Sequence, residues 1–211
     1  MKRIIQSAFY LILVLAVFSA CKKGKADFTL KGTVTDTTFA TGLDGATVSL
    51  YENEAGSTGT SLIGTSTLGS DGAYSFTFPR NQAESYRIEI TKANYFAIED
   101  LIPFSALSVE NDNIYDYGTT AKAWVALRFT NQNGQATDVL QYLRQSGKTG
   151  CDECCVGGDQ FIYGDVDTTI YCINDGNETY SYHYWIQNTS LNGNRSVVTT
   201  SFDTTEIHLT Y

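Results

Sequence analysis

Segments in which apolar and polar residues alternate strictly recur along the chain from residue 28 onward, a spacing that suits β-strands and little else. Phe28, Leu30, Gly32 and Val34 alternate with Thr29, Lys31, Thr33 and Thr35, and Ala46, Val48 and Leu50 with Thr47, Ser49 and Tyr51. Tyr74, Phe76 and Phe78 form one face of a third segment, and Tyr86, Ile88 and Ile90 one face of a fourth. A period of two puts every second side chain on the same side of an extended backbone, so each segment offers one apolar face for burial. Ala123, Val125, Leu127 and Phe129 repeat the pattern, as do Ile207, Leu209 and Tyr211 at the end. Gly, Ser, Asn and Asp gather between the segments, as at 131–134, 174–177 and 192–194, where turns are expected. No stretch shows an apolar stripe at helical spacing. Of the two prolines, Pro79 closes the third segment, where a missing N–H does least harm. The fold class is therefore all-β, built as antiparallel β-sandwiches.

The first twenty residues follow other rules. Lys2 and Arg3 precede an apolar run from Ala8 to Ala20 that ends in the small pair Ser19-Ala20, the layout of a secretory signal. The run is short of the ~20 apolar residues that a permanent span needs. Phe18-Ser19-Ala20-Cys21 resembles the lipobox of bacterial lipoproteins, with Phe18 where that family most often has Leu. The resemblance implies removal of residues 1–20 and diacylation of Cys21, and two or more acyl chains make a stable membrane anchor. A soluble secreted protein cleaved near Ala20 is the alternative. Residues 21–26 would then be the lipidated tether, with Lys22, Lys23 and Lys25 either meeting anionic headgroups or simply solvated.

Three further stretches, "GTVTDTTFATGLDGATVSLYE", "LGSDGAYSFTFP" and "YRIEITKANYF", together resemble the carboxypeptidase regulatory-like domain. The resemblance covers about residues 27–98 and rests on Gly32, Val34, Asp36, Gly42, Gly45, Ala46, Val48 and the Asp71-Gly72-Ala73-Tyr74 turn falling in order. It implies a transthyretin-like, Ig-like sandwich over 27–100 with no catalytic residues, a folding or binding module of the kind common at cell envelopes, and its combination with the lipobox fits a Bacteroidetes-type lipoprotein. Residues 101–211 carry no such resemblance and read as a second β-sandwich that is not a repeat of the first. The boundary is expected near Glu99 to Phe104.

Charge narrows the partners. The chain carries 14 basic and 23 acidic residues, a net charge of −9, and loss of Lys2 and Arg3 with the signal takes it to −11. A nucleic-acid partner is disfavoured, because phosphate binding needs a basic face. Membrane contact is expected through the lipid on Cys21.

Setting Cys21 aside leaves Cys151, Cys154, Cys155 and Cys172, an even number in an exported chain, where disulfides persist. Either Cys155 or Cys154 is expected to reach Cys172, with Cys151 taking the other, since bridging the adjacent pair is sterically awkward. A tetrathiolate zinc site is the sharper alternative, because Cys151-x-x-Cys154 has ligand spacing. Against it, Cys155 and Cys172 lack a second such pair. The expectation is two disulfides, no metal and no cofactor.

Other constellations are weaker. His183 and His208 are the only histidines, and no nucleophile-elbow motif accompanies them. Asp159, Asp165 and Asp167 could offer oxygen ligands to calcium but read better as a solvated acidic edge. Tyr180, Tyr182 and Tyr184 invite a sugar-stacking reading, although tyrosines at period two more often bury their rings. Trp124 and Trp185, on the faces away from the apolar rows, are the better contact residues, with His183 beside them. Asp36-Thr37-Thr38, Asp167-Thr168-Thr169 and Asp203-Thr204-Thr205 each resemble the O-glycosylation sequon of exported Bacteroidetes proteins. The sequence thus points to a non-catalytic lipoprotein of the outer membrane, facing the periplasm or the surface, that binds an envelope protein or glycan. The competing class is a metal- or thiol-dependent envelope enzyme centred on Cys151 to Cys172.

Overall fold

A computed structural model describes residues 27–56 and 58–211. The expected signal peptide, the lipidation site Cys21 and the tether lie outside the described residues. Among those described, the chain is all-β and forms two sandwiches, each made of two sheets closed on their own core.

The first sandwich contains β1 (Asp27–Asp36), β2 (Thr41–Gly42), β3 (Thr47–Glu54), β4 (Thr60–Thr67), β5 (Ala73–Pro79), β6 (Ala83–Thr91), β7 (Ile98–Pro103), β8 (Asn113–Ile114) and β9 (Tyr117–Thr119). One sheet is organised on β1, with β2 and β5 antiparallel to it and β8 and β9 parallel; the other runs β4-β3-β6-β7. The apolar alternation faces inward as the sequence requires. Phe28, Leu30 and Val34 of β1 and Tyr74, Phe76 and Phe78 of β5 meet Val48 and Leu50 of β3 and Tyr86, Ile88 and Ile90 of β6 in one core. Aromatic rings fill its centre, with Phe78 and Tyr86 centroids 5.0 Å apart.

The expected boundary near residues 99–104 falls inside this sandwich. β7 pairs with β6 from Ile98 to Pro103, and the chain then returns to lay β8 and β9 along β1. Strands of two and three residues are too short to display a period. Side chains reinforce their backbone pairing with β1: Asn113 Nδ2 donates to the Thr29 carbonyl (2.9 Å), and Asp116 accepts from the Thr33 amide (2.8 Å) and hydroxyl (2.9 Å). Gly32 admits this return, because a Cβ there would overlap the Tyr115 carbonyl. Gly72, at φ +68°, sits against Gly42, and a Cβ on Gly42 would come within 2.5 Å of the Gly72 amide. Gly42 is thus needed for close approach rather than for a left-handed turn.

The second sandwich contains β10 (Lys122–Thr130), β11 (Val139–Ser146), β12 (Asp159–Tyr163), β13 (Asp167–Asp175), β14 (Thr179–Ile186), β15 (Asn192–Val198) and β16 (Thr204–Thr210). Its sheets run β13-β10-β16 and β12-β11-β14-β15. β16 lies parallel to β10 and β13 antiparallel to it, so this sheet is mixed, with β16 at its edge. Val125, Leu127, Phe129, Ile207 and Leu209 pack across the interior against Leu140, Tyr142, Tyr180, Tyr182, Tyr184 and Ile186. Asn192-Gly193-Asn194, expected to be a turn, opens β15 instead. Gly193 pairs with Tyr184 in the ladder, and the Tyr184 ring stands where a larger side chain would go.

The two sandwiches are joined closely. Phe202, at φ +66°, stacks on Phe39 and packs against Tyr95, with centroids 6.0 and 5.4 Å apart. The Tyr95 hydroxyl donates to the buried Asp36 carboxylate (2.6 Å), which also accepts from the Thr38 and Phe39 amides. Lys148 lies over the Phe96 ring (4.2 Å) and pairs with Asp175 (2.8 Å).

Gly32→Ala should lower stability by about 1–3 kcal/mol, because the added methyl must push the 113–119 segment off β1. Urea denaturation checks this against Gly64→Ala, where the new Cβ meets the Phe76 ring at an ordinary 3.5 Å. That control should be neutral or stabilising by up to about 1 kcal/mol.

Candidate functional site

The cysteines pair as Cys151–Cys154 and Cys155–Cys172, with Cα separations of 5.2 and 5.0 Å. Strand alternation explains the choice. The 151–156 segment runs along the open edge of β13, where Cys154 bridges Ile173 and the Ile173 amide donates to the Glu153 carbonyl (3.0 Å). Neighbouring residues on an extended segment point to opposite sides. Cys172 points into the core, so Cys155, packed against that core, reaches it, and Cys154 turns back to Cys151. With all four sulfurs in disulfides, none is a thiolate available to a metal or a substrate. Arg144 braces the same loop, Nη1 donating to the carbonyls of Lys148 (2.8 Å) and Cys155 (2.5 Å).

The residues expected to make contacts do not share one surface. Trp124 lies on β10 and projects from the outer face of β13-β10-β16, where Ile173 and Thr204 are its ladder neighbours. Trp185 and His183 lie on β14 and project from the outer face of the opposite sheet. A whole sandwich separates the two indoles.

The Trp124 face is charged and internally paired. Arg128 contacts Asp167 at 3.3 Å, and Thr130 bonds both Asp167 and His208. The Arg128 guanidinium and Thr130 hydroxyl hold the Asp167 carboxyl below its ordinary pKa. Asp159 lies on the other sheet, so it does not join Asp167, and no cluster of three metal-ligating side chains forms among the described residues. Of the sequon threonines, Thr168 sits opposite inward-facing Phe129, whereas Thr37 and Thr204 are exposed.

The Trp185 face is different. The His183 and Trp185 rings lie 4.3 Å apart, and His183 Nδ1 shares a 2.7 Å hydrogen bond with Asn194 Oδ1. Two strands away, Phe161 and Tyr163 stack on the same face, their centroids 6.4 Å apart. They are 46% and 67% exposed, while on the opposite face Tyr171 of β13 is 69% exposed. Sequence reading missed them, though the signal exists: Ile162 packs on the core, so its neighbours must face outward.

Tyr180, Tyr182 and Tyr184 are core, as the bland reading of their spacing has it. The Tyr180 and Tyr182 hydroxyls are buried without a protein partner, and burial pushes both pKa values well above the ordinary phenol. As for catalysis, His183 bonds Asn194, and His208 bonds Thr130 and Thr210. Neither ring touches a serine or carboxylate that could complete a nucleophilic triad, among the described residues.

No family model and no curated protein matches the chain. Similar solved structures include the shaft pilin SpaA from Lactobacillus rhamnosus GG, at 10% identity, 88% of this chain, 97% of that chain and a TM-score of 0.32. They also include the minor pilin of Streptococcus agalactiae, at 12% identity, 87% of this chain, 94% of that chain and TM-score 0.33. The Bacillus anthracis TIE protein matches at 13% identity and TM-score 0.34 over 88% of this chain and 34% of its own.

Removing the Cys155–Cys172 bridge, which closes 17 residues, should cost about 3 kcal/mol, and removing Cys151–Cys154 about half that. Chemical denaturation of the paired alanine variants measures both, and thiol titration of the denatured 27–211 chain should find no free sulfhydryl. Tyr182→Phe should leave stability within about 1 kcal/mol of wild type or raise it, since it removes an unpartnered hydroxyl. Tyr95→Phe, which deprives the buried Asp36 of a donor, should cost about 1.5–3 kcal/mol in the same assay.

Proposed function

We propose that the chain is a non-catalytic lipoprotein of the cell envelope, held at the outer membrane by acyl chains on Cys21. On this reading its second sandwich binds an envelope partner through the outer face of β12-β11-β14-β15. The observation that carries the binding role is the group of outward aromatic rings, Trp185, His183, Phe161 and Tyr163, on strands fixed in a four-stranded sheet. Rings held in the open by a rigid frame are the usual anchors of recognition. The lipobox-like Phe18-Ser19-Ala20-Cys21 supports the anchor. The first sandwich, resembling a carboxypeptidase regulatory-like domain, would then stand between the membrane and the binding face.

Two measurements test this. Cys21→Ser should move the protein from membranes into the soluble or uncleaved precursor fraction; a variant that stays processed and membrane-bound at high salt overturns the anchor. For binding, residues 27–211 contain every described strand and both cores, so this fragment is the reagent. Its retention on envelopes of the source cell should fall at least about tenfold with Trp185→Ala, equivalent to about 1.4 kcal/mol, and stay near wild type with Trp124→Ala. The reverse result would assign recognition to the β13-β10-β16 face, and a turnover abolished by His183→Ala would replace the binding reading with an enzyme.

A further inference from the structure

The Trp185 face differs in charge from the rest of the molecule. The strands that build it place Gln141, Leu143, Asn192, Asn194 and Ser196 between and beside the aromatic rings, and Asp159, at its margin, is the formal charge its ladder positions carry. The chain as a whole has 37 ionic side chains, 14 basic and 23 acidic. A nearly neutral face on so acidic a protein excludes several ligands at once. Nucleic acid and acidic polysaccharide need Lys or Arg to offset their charge, and this face supplies neither. An anionic membrane surface makes the same demand.

The face does hold a pattern of rings separated by amides. Across adjacent strands at one register stand Phe161, Gln141, Trp185 and Asn192. At a strand spacing of about 4.8 Å, Phe161 and Trp185 are about 10 Å apart with the Gln141 amide between them. Gln187 Nε2 donates to Gln141 Oε1 (2.7 Å), which fixes that amide and leaves its two N–H donors without a protein partner among the described residues. In the next row the bond between His183 and Asn194 orients a second amide.

We propose that this face binds a neutral polysaccharide, its pyranose rings lying on Trp185, Phe161 and Tyr163 and its hydroxyls bonded by the amides between them. The proposal rests on the binding function above and names its ligand class. An aromatic face carries a negative quadrupole potential that attracts the C–H bonds on one side of a sugar ring, and each ring covered leaves contact with water. Uncharged hydroxyls, which both donate and accept, suit amides in a face that lacks ions. The complementarity in charge is what selects a neutral glycan over the ionic alternatives.

The test is native affinity electrophoresis of the 27–211 fragment in gels cast with soluble β-glucan, mannan, galactomannan or xylan, with alginate and heparin as acidic controls. At least one neutral polysaccharide should retard the wild type, and neither control should. Trp185→Ala and Phe161→Ala should each weaken the effect at least about tenfold, while Trp124→Ala, on the opposite face, leaves it unchanged. Tyr163→Ser, at a position 67% exposed and tolerant of change, provides a second variant should either of the others unfold. Absence of retardation by every neutral polymer, equal retardation by alginate, or insensitivity to all three substitutions overturns the proposal. If Trp185→Ala abolishes envelope retention while no polysaccharide retards the wild type, the binding function stands and this ligand assignment falls.

Discussion

Two consecutive residues between the sandwiches commit their whole backbone to joining them. The Ala121 amide donates to the Thr38 hydroxyl (2.9 Å) and the Lys122 amide to the Asn94 carbonyl (2.8 Å), both in the first sandwich. Their carbonyls accept from Gly176 (2.8 Å) and Phe202 (2.8 Å), both in the second. Every backbone polar group of the dipeptide is satisfied, the amides by the first sandwich and the carbonyls by the second. With both residues bonded to both sandwiches, no flexible linker remains to let the sandwiches swing. Fully exposed Ala121 and Lys122 amides could bond water instead; buried as Ala121 is, they must find protein partners. Phe202 and Tyr95 pack over the crossing and keep water from competing.

β14 shows how one strand can serve stability and recognition together. Tyr180, Tyr182, Tyr184 and Ile186 alternate inward and fill the second core, and His183 and Trp185 alternate outward onto the open face. A shift of one residue in register would exchange the sets, placing an imidazole and an indole in the core and three tyrosines in water. Pairing on both sides, with β11 and β15, locks that register. The core tolerates unpartnered tyrosine hydroxyls because the rings supply large apolar contact, visible in the Phe129, Tyr142 and Tyr182 group with centroids 5.1–5.8 Å apart.

What the sequence made legible follows directly from period two. Inward residues of β1, β3, β5, β6, β10, β14 and β16 are recoverable by counting alternate positions, and so is the outward placement of Trp124, Trp185 and His183. Four features were not recoverable. β8 and β9 are too short to show an alternating pattern, and Asn113 and Asp116 side chains reinforce their pairing with β1, so the domain boundary reads about twenty residues early. Asn192-Gly193-Asn194 has turn composition, yet its glycine makes room for the Tyr184 ring inside a ladder. The separation of Trp124 from Trp185 depends on which sheet each strand enters, and that is a matter of long-range pairing rather than local chemistry. For the same reason the choice between Cys154 and Cys155 needed the direction of β13 and the side on which Cys172 faces.

The disulfides also bear on the aromatic face, although no sulfur lies on it. Phe161 and Tyr163 stand on β12, an edge strand paired only with β11 in its sheet, so their distance from Trp185 depends on how firmly β12 is seated. The long connection from β11 to β12 would ordinarily leave that seating loose, since loop entropy opposes a fixed arrival point. Cys155, four residues before β12, is tied through Cys172 to the opposite sheet, and Arg144 of β11 grips the Cys155 carbonyl from the other side. The loop therefore delivers β12 from a point anchored in both sheets. The Cys155–Cys172 staple thus fixes where the loop enters β12, and the β11–β12 ladder sets the register of its rings.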